Sequence, residues 1–420
     1  MRKVKVLEIV LSNPTGVYFS GQILQGHVNM ELGDNIKLKD IRLVVRGKAF
    51  VHWTEQLMRG PGESRFREIR HHSAREDYVD WSQSLLGRAP SSGSSTKREL
   101  PAGQYTYPFQ FQLPRSVPTS FEGQHGYLRY WVKVTIQRPW NHDASAKKVF
   151  TVIYPVDLNR DPSASAAVQS QKQKKLCCLC CRSGPVTAVL AVAQRGFVPG
   201  ETIHVHGEVT NMSRRKMASS SVELLMTVMY HTPTKSRAMT QQVGKVKRGN
   251  IPAGDSDHWE AEKMVIPPLP PSHLHGCSII DIKYQLQLRV EPVGPAFDLS
   301  VPLEIVIGTI PLNAVVQRFV AAYQLTPPTP HRHALPALPG YGPAHGHHGA
   351  APDVTPKRSL HHCVPHGFAP YVFGHTRARD EDDDENTRGD SHYTPAYTYY
   401  TWQPDDLQQR RQQTGVRFAA

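Results

Sequence analysis

Two stretches of strict alternation constrain the fold of this chain more than any other feature of its sequence. Residues 281–290 alternate polar and apolar side chains with a period of two, and residues 127–136 repeat the pattern. Such alternation is typical of an antiparallel strand with one face on a core and the other in water. Because the two strands lie late in two successive parts of the chain, we predict that one structural unit occurs twice.

Short phrases around these strands also occur twice. Ile-Pro-Ala-Gly at 251–254 matches Leu-Pro-Ala-Gly at 100–103, and Gly-Phe-Val-Pro-Gly-Glu at 196–201 resembles Tyr-Phe-Ser-Gly-Gln at 18–22. The first copy carries an extra polar segment at 59–99, which we predict to be a hairpin followed by a loop. Many short strands separated by Pro and Gly turns make each copy a β-sandwich.

Changes in composition set the predicted boundaries. We expect an all-β chain with two tandem immunoglobulin-like β-sandwiches at 1–157 and 183–312, joined by a linker at 158–182. A tail at 313–420 follows, which is rich in His, Pro and Gly and contains an acidic run at 380–385. A segment of this composition cannot bury a core of its own, so we predict that the tail is disordered apart from short linear motifs.

The charge and hydropathy of the chain narrow its location and partners. The formal net charge is +13, but the basic residues are spread along the chain without a zinc-finger, RNP or helix-turn-helix signature, so nucleic acid is not expected as a partner. No apolar run approaches the ~18 residues that span a bilayer. The first residues lack the apolar core of a signal peptide, which favours a cytoplasmic location.

No catalytic motif is present. The sequence lacks a Gly-x-Ser-x-Gly elbow, a phosphate-binding loop and a His-Glu-x-x-His pair, so we expect no enzyme activity and no cofactor. A competing interpretation is an enzyme that uses Cys277 or Cys363, each of which has a histidine nearby in sequence. Proximity in sequence does not define such a pair, and fast alkylation of Cys277 at neutral pH would be its signature.

A cluster of cysteines lies in the predicted linker and consists of Cys177, Cys178, Cys180 and Cys181. Three interpretations are open. Zinc ligation is disfavoured because adjacent cysteines in an extended chain point to opposite sides. S-acylation would combine with the flanking basic residues 174, 175 and 182 into an anchor for an anionic membrane surface. Packing in the junction, with Cys as a small apolar residue, is the third. The tail histidines lack a carboxylate or cysteine scaffold, so no metal site is expected there.

Two further sets of residues are candidates for binding. Arg42, Arg46 and Lys48 share the solvent face of one strand if Ile41 and its apolar neighbours face the core, and a phosphate or an acidic cargo segment would fit along them. A merely solvated strand face is the alternative. Near the end of the chain, aromatic residues stand out in a polar tail and predict a segment that docks back on a sandwich edge or binds a partner. They are Tyr393, Tyr397, Tyr399 and Tyr400.

Several phrases in order resemble one known family. They are Pro-Val-Asp-Leu-Asn at 155–159, the cysteine junction ending in Ser-Gly-Pro at 183–185, the Pro-Gly-Glu turn at 199–201, and the Ile-Pro-Ala-Gly phrase followed by Ile-Pro at 266–267. Over residues ~1–312 the chain resembles an arrestin-domain-containing protein of the α-arrestin family. The resemblance implies an adaptor at the plasma membrane and endosomes. It would recognise membrane receptors or transporters as cargo and recruit WW-domain HECT ubiquitin ligases.

The tail departs from the family pattern at the ligase motif. Members usually carry Pro-Pro-x-Tyr, whereas this tail offers the variant Leu338-Pro339-Gly340-Tyr341. Pro339 favours an extended polyproline-type backbone for an aromatic groove, and Tyr341 would fill the neighbouring pocket. Leu338, Pro339 and Tyr341 are therefore the predicted WW-binding residues. The alternative function is a scaffold of the same fold that acts through other protein partners without a ligase.

Overall fold

The computed structural model describes residues 3–59, 66–86, 98–139, 142–176, 184–325, 366–373, 376–377, 387–390 and 392–402. Within these residues the molecule is built of two largely antiparallel β-sandwiches, each with one short parallel strand at an edge, followed by a helix and a set of short tail strands. The predicted all-β fold with two tandem sandwiches is confirmed. No helix within the described ranges is long and apolar enough to cross a membrane.

The first sandwich packs a sheet in the order β1-β3-β8 against a larger sheet in the order β2-β11-β10-β5-β6. Alternate side chains of both sheets fill the core between them, as the period-two pattern requires. The predicted insertion at 59–99 supplies β6 (Phe66–Ser84), the second strand of a long hairpin whose first strand, β5 (Asp40–Arg59), lies almost entirely before it. The strands are β1 (Val4–Leu11), β2 (Val17–Phe19), β3 (Ile23–Leu32), β4 (Ile36–Leu38), β5 (Asp40–Arg59), β6 (Phe66–Ser84), β7 (Arg98–Leu100), β8 (Gly103–Gln112), β9 (Phe121–Gly123), β10 (Gly126–Gln137) and β11 (Ala144–Ile153).

The second sandwich repeats this plan with sheets in the orders β12-β13-β15-β18 and β14-β20-β19-β16-β17. Two short 3-10 helices, Leu158–Arg160 and Pro162–Ser165, connect the sandwiches. The strands are β12 (Val168–Lys175), β13 (Pro185–Val192), β14 (Gly196–Phe197), β15 (Thr202–Asn211), β16 (Met217–His231), β17 (Ser236–Arg248), β18 (Ser256–Val265), β19 (Ile280–Pro292) and β20 (Leu299–Ile307).

The two alternating stretches form the central strands β10 and β19. Each has on its inner face a buried tyrosine whose hydroxyl is hydrogen-bonded to the backbone. Tyr130 of β10 is fully buried and donates a hydrogen bond of 2.7 Å from its hydroxyl to the carbonyl oxygen of Pro118. Tyr284 of β19 is buried to the same extent and donates one of 2.8 Å to the carbonyl oxygen of Pro270. A buried phenol needs such a partner, and both copies supply it from the proline-rich segment that precedes the strand.

Three segments depart from the expected boundaries. Much of the predicted linker is not a linker, because β12 (Val168–Lys175) pairs with β13 at the edge of the second sandwich. The predicted tail begins with helix α1 (Asn313–Leu325). Further along, the tail contains short strands that pair with one another or with the first sandwich, instead of lacking structure throughout. These are β21 (His366–Pro370), β22 (Thr376–Arg377), β23 (Arg388–Gly389), β24 (His392–Tyr393) and β25 (Ala396–Tyr400).

The sandwiches meet through the β5–β6 hairpin of the first and two loops of the second. Glu76 accepts a hydrogen bond of 3.1 Å from the backbone N–H of Ser278. His72 is buried, and its Nδ1 lies 3.0 Å from Thr234 Oγ1. These polar contacts attach the second sandwich to the first at the end where β16 finishes and β19 begins. The opposite end of these two strands points away from the first sandwich.

Candidate functional site

The large sheet of the first sandwich has one side on the core and one side turned outward. We call the outward side of β5, β10 and β11 the outer basic face. The strand register places Lys48 opposite Arg129 and Lys133 opposite Lys147, so basic side chains of neighbouring strands lie side by side. The basic members of this face are Arg42, Arg46, Lys48, Arg129, Lys133 and Lys147.

Trp131 lies at the centre of this face and organises two of its cations. The Nζ atoms of Lys48 and Lys147 lie 5.3 Å and 4.6 Å from the centre of the Trp131 ring. Both lysines are largely buried, with 6% and 4% of their surface exposed. The negative face of an indole ring attracts ammonium groups at this range. The indole therefore holds two positive charges close together, an arrangement that favours an anion beside it.

A buried ion pair supports one end of the face. The Arg129 guanidinium donates hydrogen bonds of 2.7 Å and 2.8 Å to the two carboxylate oxygens of Glu122. The same guanidinium stacks 4.2 Å from the centre of the Tyr127 ring. Both charged groups are almost fully buried, so each depends on the other. Arg129 therefore has a structural role, because its ion pair with Glu122 holds β10 against β9.

The structure places the predicted phosphate-binding residues on one face, but in three different environments. Arg42 is exposed. Arg46 is half-buried, with its Nε 3.6 Å from Asp80 Oδ1. Lys48 is buried, and its Nζ lies 6.0 Å from the centre of the Tyr127 ring and 5.3 Å from that of the Trp131 ring. The expectation that all three lie on a solvent-exposed strand face is therefore right for Arg42 and wrong for Lys48.

Sequence reasoning missed Lys147 and Trp131 as members of this face. Lys147 joins it only because β11 pairs antiparallel with β10, a contact that strand periodicity alone does not specify. The available signal was the Lys147-Lys148 doublet. The alternation within β10 placed Trp131 on the outward side without indicating that two lysines would stack on it.

The tail covers part of the outer basic face. Strand β23 adds to the edge of β11 in parallel, with Gly389 opposite Lys147. Tyr393 packs on Trp131 and Val149 in a small apolar cluster. The Tyr393 hydroxyl lies 3.0 Å from Thr151 Oγ1. The tail therefore packs directly on the centre of the outer basic face.

Further along, strand β25 lies against both sandwiches. Tyr397 is buried and donates a hydrogen bond of 3.0 Å to the carbonyl oxygen of Ser120 in the first sandwich. Tyr400 is buried and donates one of 2.8 Å to the carbonyl oxygen of Thr309, just beyond the last strand of the second. Tyr399, between them, stays half-exposed on the other side of the strand. Burial raises the pKa of Tyr393, Tyr397 and Tyr400, so all three are neutral donors at physiological pH.

A buried carboxylate lies beside the end of β25. The backbone N–H of Tyr400 donates to the carbonyl oxygen of Pro199, two residues before Glu201. Glu201 accepts hydrogen bonds of 2.8 Å from Gln194 Nε2 and 3.1 Å from the backbone N–H of Val198. Burial raises the pKa of Glu201 to about 7, so its charge changes near neutral pH.

Other predicted sites lie outside the described residues. These are the WW-binding candidates Leu338, Pro339 and Tyr341 and the cysteine cluster. Cys277 is described, and burial raises the pKa of its thiol, which lowers the thiolate fraction that an enzymatic nucleophile needs. Within the part of the chain that the structure describes, no group of three His, Cys, Asp or Glu side chains is arranged to hold a metal ion.

Two tandem sandwiches with a shared interface and a basic outer sheet face define an arrestin-type scaffold. Family comparison agrees: residues 7–159 match the N-terminal domain of arrestin (or S-antigen) and residues 182–312 match its C-terminal domain. The chain therefore belongs to the arrestin-domain family, in its α-arrestin branch. Proteins of this family are non-enzymatic adaptors that bind partner proteins.

Individual relatives cover the same region. Arrestin domain-containing protein 17 of Caenorhabditis elegans is 33% identical over 314 residues, which are 72% of this chain and 70% of that protein. Arrestin domain-containing protein 4 of Homo sapiens is 31% identical over 318 residues, covering 75% and 74%. Thioredoxin-interacting protein of Rattus norvegicus is 28% identical over 309 residues, covering 73% and 75%. The predicted resemblance is confirmed.

Proposed function

We propose that this protein is a non-enzymatic adaptor in membrane-protein trafficking, working in the cytoplasm at the plasma membrane and endosomes. Its cargo is a membrane receptor or transporter with an acidic or phosphorylated cytoplasmic segment. The tail recruits a WW-domain HECT ubiquitin ligase, so that the bound cargo is ubiquitinated, internalised and sorted. The cysteine cluster at 177–181, if S-acylated, would hold the adaptor at an anionic membrane surface.

The observation that carries the cargo part of this proposal is the outer basic face. Arg42 is exposed, Arg46 is half-buried beside Asp80, and the Nζ atoms of Lys48 and Lys147 lie over the Trp131 ring. Phosphate groups bind well where several cations converge, since charge-assisted hydrogen bonds are the strong ones. An extended cargo segment would follow the strand direction and displace the tail contacts made by Tyr393.

The ligase part rests on a short motif in the tail. Leu338-Pro339-Gly340-Tyr341 supplies the proline and the aromatic residue that an aromatic WW groove takes, with Leu in place of the first proline. One such motif predicts a weak contact. Attachment of the cargo and the ligase to one chain would compensate by raising their effective concentration.

The test is a titration of the full chain against a panel of WW domains. Wild type is compared with Tyr341→Ala, and Pro352→Ala serves as a control in the same Pro- and Gly-rich region. Micromolar binding that is lost in Tyr341→Ala and kept in Pro352→Ala supports ligase recruitment through this motif. If the wild type does not bind, or if the two variants bind equally well, ligase recruitment through this motif is contradicted.

The alternative function is a scaffold of the same fold that acts through other partners without a ligase. The sequence favours it in one respect, since it contains no Pro-Pro-x-Tyr: Pro327-Pro328 is followed by Thr-Pro. A negative WW titration combined with phosphopeptide binding by the first sandwich would select this alternative.

A further inference from the structure

Two exposed histidines lie side by side on the β5–β6 hairpin of the first sandwich. The Nε2 atom of His52 lies 3.3 Å from the Nδ1 atom of His71. The ring centres are 5.6 Å apart and the ring planes differ by 24°. Beyond Val51 the hairpin is no longer paired with β10, so the pair lies where the hairpin projects from the sheet. We call these two side chains the histidine pair.

The hairpin fixes the position of the histidine pair. The strand register places Ser73 opposite His52 and Thr54 opposite His71, so the two imidazoles are diagonal neighbours on adjacent strands. The backbone N–H of His52 donates a hydrogen bond of 2.8 Å to the carbonyl oxygen of His125. Because both side chains stand on paired strands, little further ordering is needed for them to bind one ligand together.

The spacing of the two ring nitrogens suits a metal ion. Neutral imidazole nitrogens are common ligands of Zn²⁺ and Cu²⁺. Two nitrogens that bind one tetrahedral Zn²⁺ at about 2.05 Å are about 3.3 Å apart. The distance in the histidine pair equals this value and exceeds the ~2.9 Å of a good hydrogen bond from an N–H group. Small rotations of the two rings would direct both lone pairs at one ion.

The charges around the histidine pair do not repel a cation. Arg75, on the same strand as His71, donates hydrogen bonds of 2.8 Å and 3.0 Å to the carboxylate oxygens of Asp77. The Nη2 atom of Arg70 lies 3.6 Å from Glu68 Oε1. Each of these arginines therefore has a carboxylate partner on its own strand, so little net positive charge surrounds the pair.

We propose that His52 and His71 form a two-ligand site for a divalent transition-metal ion, Zn²⁺ or Cu²⁺. The remaining coordination positions would take water or a donor side chain of a bound partner. A site with two protein ligands leaves the ion exchangeable, in contrast to a closed four-ligand structural site. Because the ligands must be deprotonated, binding should weaken as the pH falls. The site goes beyond the proposed adaptor function, which requires no metal.

The test is carbethoxylation of histidines by diethyl pyrocarbonate in the full chain, read residue by residue by mass spectrometry during a Zn²⁺ titration. A bound metal blocks the ring nitrogen that the reagent attacks. Residue resolution is needed because the tail contains further histidines. Wild type is compared with His52→Gln and His71→Gln. His258→Gln is the matched control, because His258 is an exposed histidine on β18 of the second sandwich. Mg²⁺, which prefers oxygen ligands, is the control ion.

We expect Zn²⁺ to protect His52 and His71 with one shared midpoint, at a concentration at least about tenfold below the midpoint of His258. Cu²⁺ should protect them at a still lower concentration. His52→Gln should raise the midpoint of His71 at least about tenfold, His71→Gln should do the same to His52, and His258→Gln should change neither.

Three results would overturn the proposal. One is an unchanged midpoint of His71 in His52→Gln, which would mean that each histidine binds metal alone. The second is protection of the histidine pair no better than that of His258, which would mean adventitious binding. The third is equal protection by Mg²⁺. No cargo or ligase is present in this experiment, so its failure leaves the proposed function untouched.

Discussion

The central strands β10 and β19 share their inner faces and differ in their outer ones. On the inner side, Tyr130 and Tyr284 make equivalent hydrogen bonds to proline carbonyl oxygens. On the outer side, Trp131 with its two lysines corresponds to Gln285, a neutral residue. The two copies therefore share what the core requires, whereas only the first has Trp131 and its two lysines at this position of the outer face. This difference supports the proposal that the outer basic face of the first sandwich is the binding surface.

The same contrast separates two turns. In the first copy, Gln22 follows Gly21 and accepts a hydrogen bond of 2.8 Å from the backbone N–H of Phe19. In the second, Glu201 follows Gly200 and accepts one from Val198. Both glycines have positive φ, which the turn requires. Both copies therefore make this turn hydrogen bond, but only the second copy makes it with a buried carboxyl group.

The largest expected loss of stability comes from the buried tyrosines that the two sandwiches share. Tyr130→Ala and Tyr284→Ala should each lower the free energy of unfolding by about 3–5 kcal/mol, because each leaves a cavity in a closed core. Replacement by Phe should cost only about 1–2 kcal/mol, since the proline carbonyl oxygen loses its partner. Urea unfolding measures both. A near-neutral Ala variant at one of the two positions would show that the copies do not share this frame.

The next prediction tests the difference between the outer faces. Arg129→Ala should cost about 3–5 kcal/mol, because it leaves the carboxylate of Glu122 buried and unpaired. Lys283→Ala, at the matching position on β19, should change stability by less than about 0.5 kcal/mol. Removal of both Arg129 and Glu122 should recover part of the loss. Equal costs at 129 and 283 would contradict the contrast.

The turn of the second copy predicts a pH dependence that the first copy lacks. Glu201 has a native pKa of about 7, above the ~4.3 expected in the unfolded chain. The native state therefore binds more protons between these values, so stability should fall by up to about 3 kcal/mol as pH rises from 4.5 to 7, and stay level above that. Glu201→Gln, which installs the residue of the first copy, should remove this slope. Unfolding midpoints measured across that range would disprove the assignment if both proteins follow one curve.

A smaller effect should follow from loosening the tail. Tyr393→Ala removes the contact with Trp131 and should cost about 1–2 kcal/mol, because part of the tail leaves the sandwich. Amide hydrogen exchange at Ala146 and Lys147, where β23 pairs with β11, should become faster. Tyr399→Ala, on the half-exposed side of β25, is the control and should leave those amides unchanged. Identical exchange in both variants would mean that Tyr393 does not hold the tail.

Periodicity and turn residues were sufficient to predict the two sandwiches, because both signals can be read from short stretches of sequence. The alternation in 127–136 and 281–290 and the repeated Pro-Gly phrases were enough for two sandwiches. Strand β12 escaped prediction because an edge strand with polar side chains on both sides carries no period-two signal. Helix α1 carried a readable signal, apolar residues at Val315, Phe319 and Val320, inside a tail whose overall composition indicated disorder.

The outer basic face was predictable only in part, since it depends on contacts between distant segments. Arg42 and Arg46 lie on one strand and could be grouped by spacing. Lys147 required the pairing of β11 with β10, and the contact of Tyr393 with Trp131 joins residues more than half the chain apart. The aromatic tail motif indicated docking, but the seam that receives Tyr397 and Tyr400 is formed only when both sandwiches are in place.

The most direct test of the cargo-binding account is a calorimetric titration of the full chain with a serine peptide in its doubly phosphorylated and unphosphorylated forms. Wild type, Tyr393→Ala, Arg42→Gln/Arg46→Gln and Lys283→Gln are compared. We predict that only the phosphorylated peptide binds, that Tyr393→Ala binds it more tightly, and that the Arg42/Arg46 variant binds at least about tenfold more weakly while Lys283→Gln is unchanged. Equal affinity for both peptides, or equal losses from the two sandwiches, would contradict the claim that the outer basic face of the first sandwich is the cargo site.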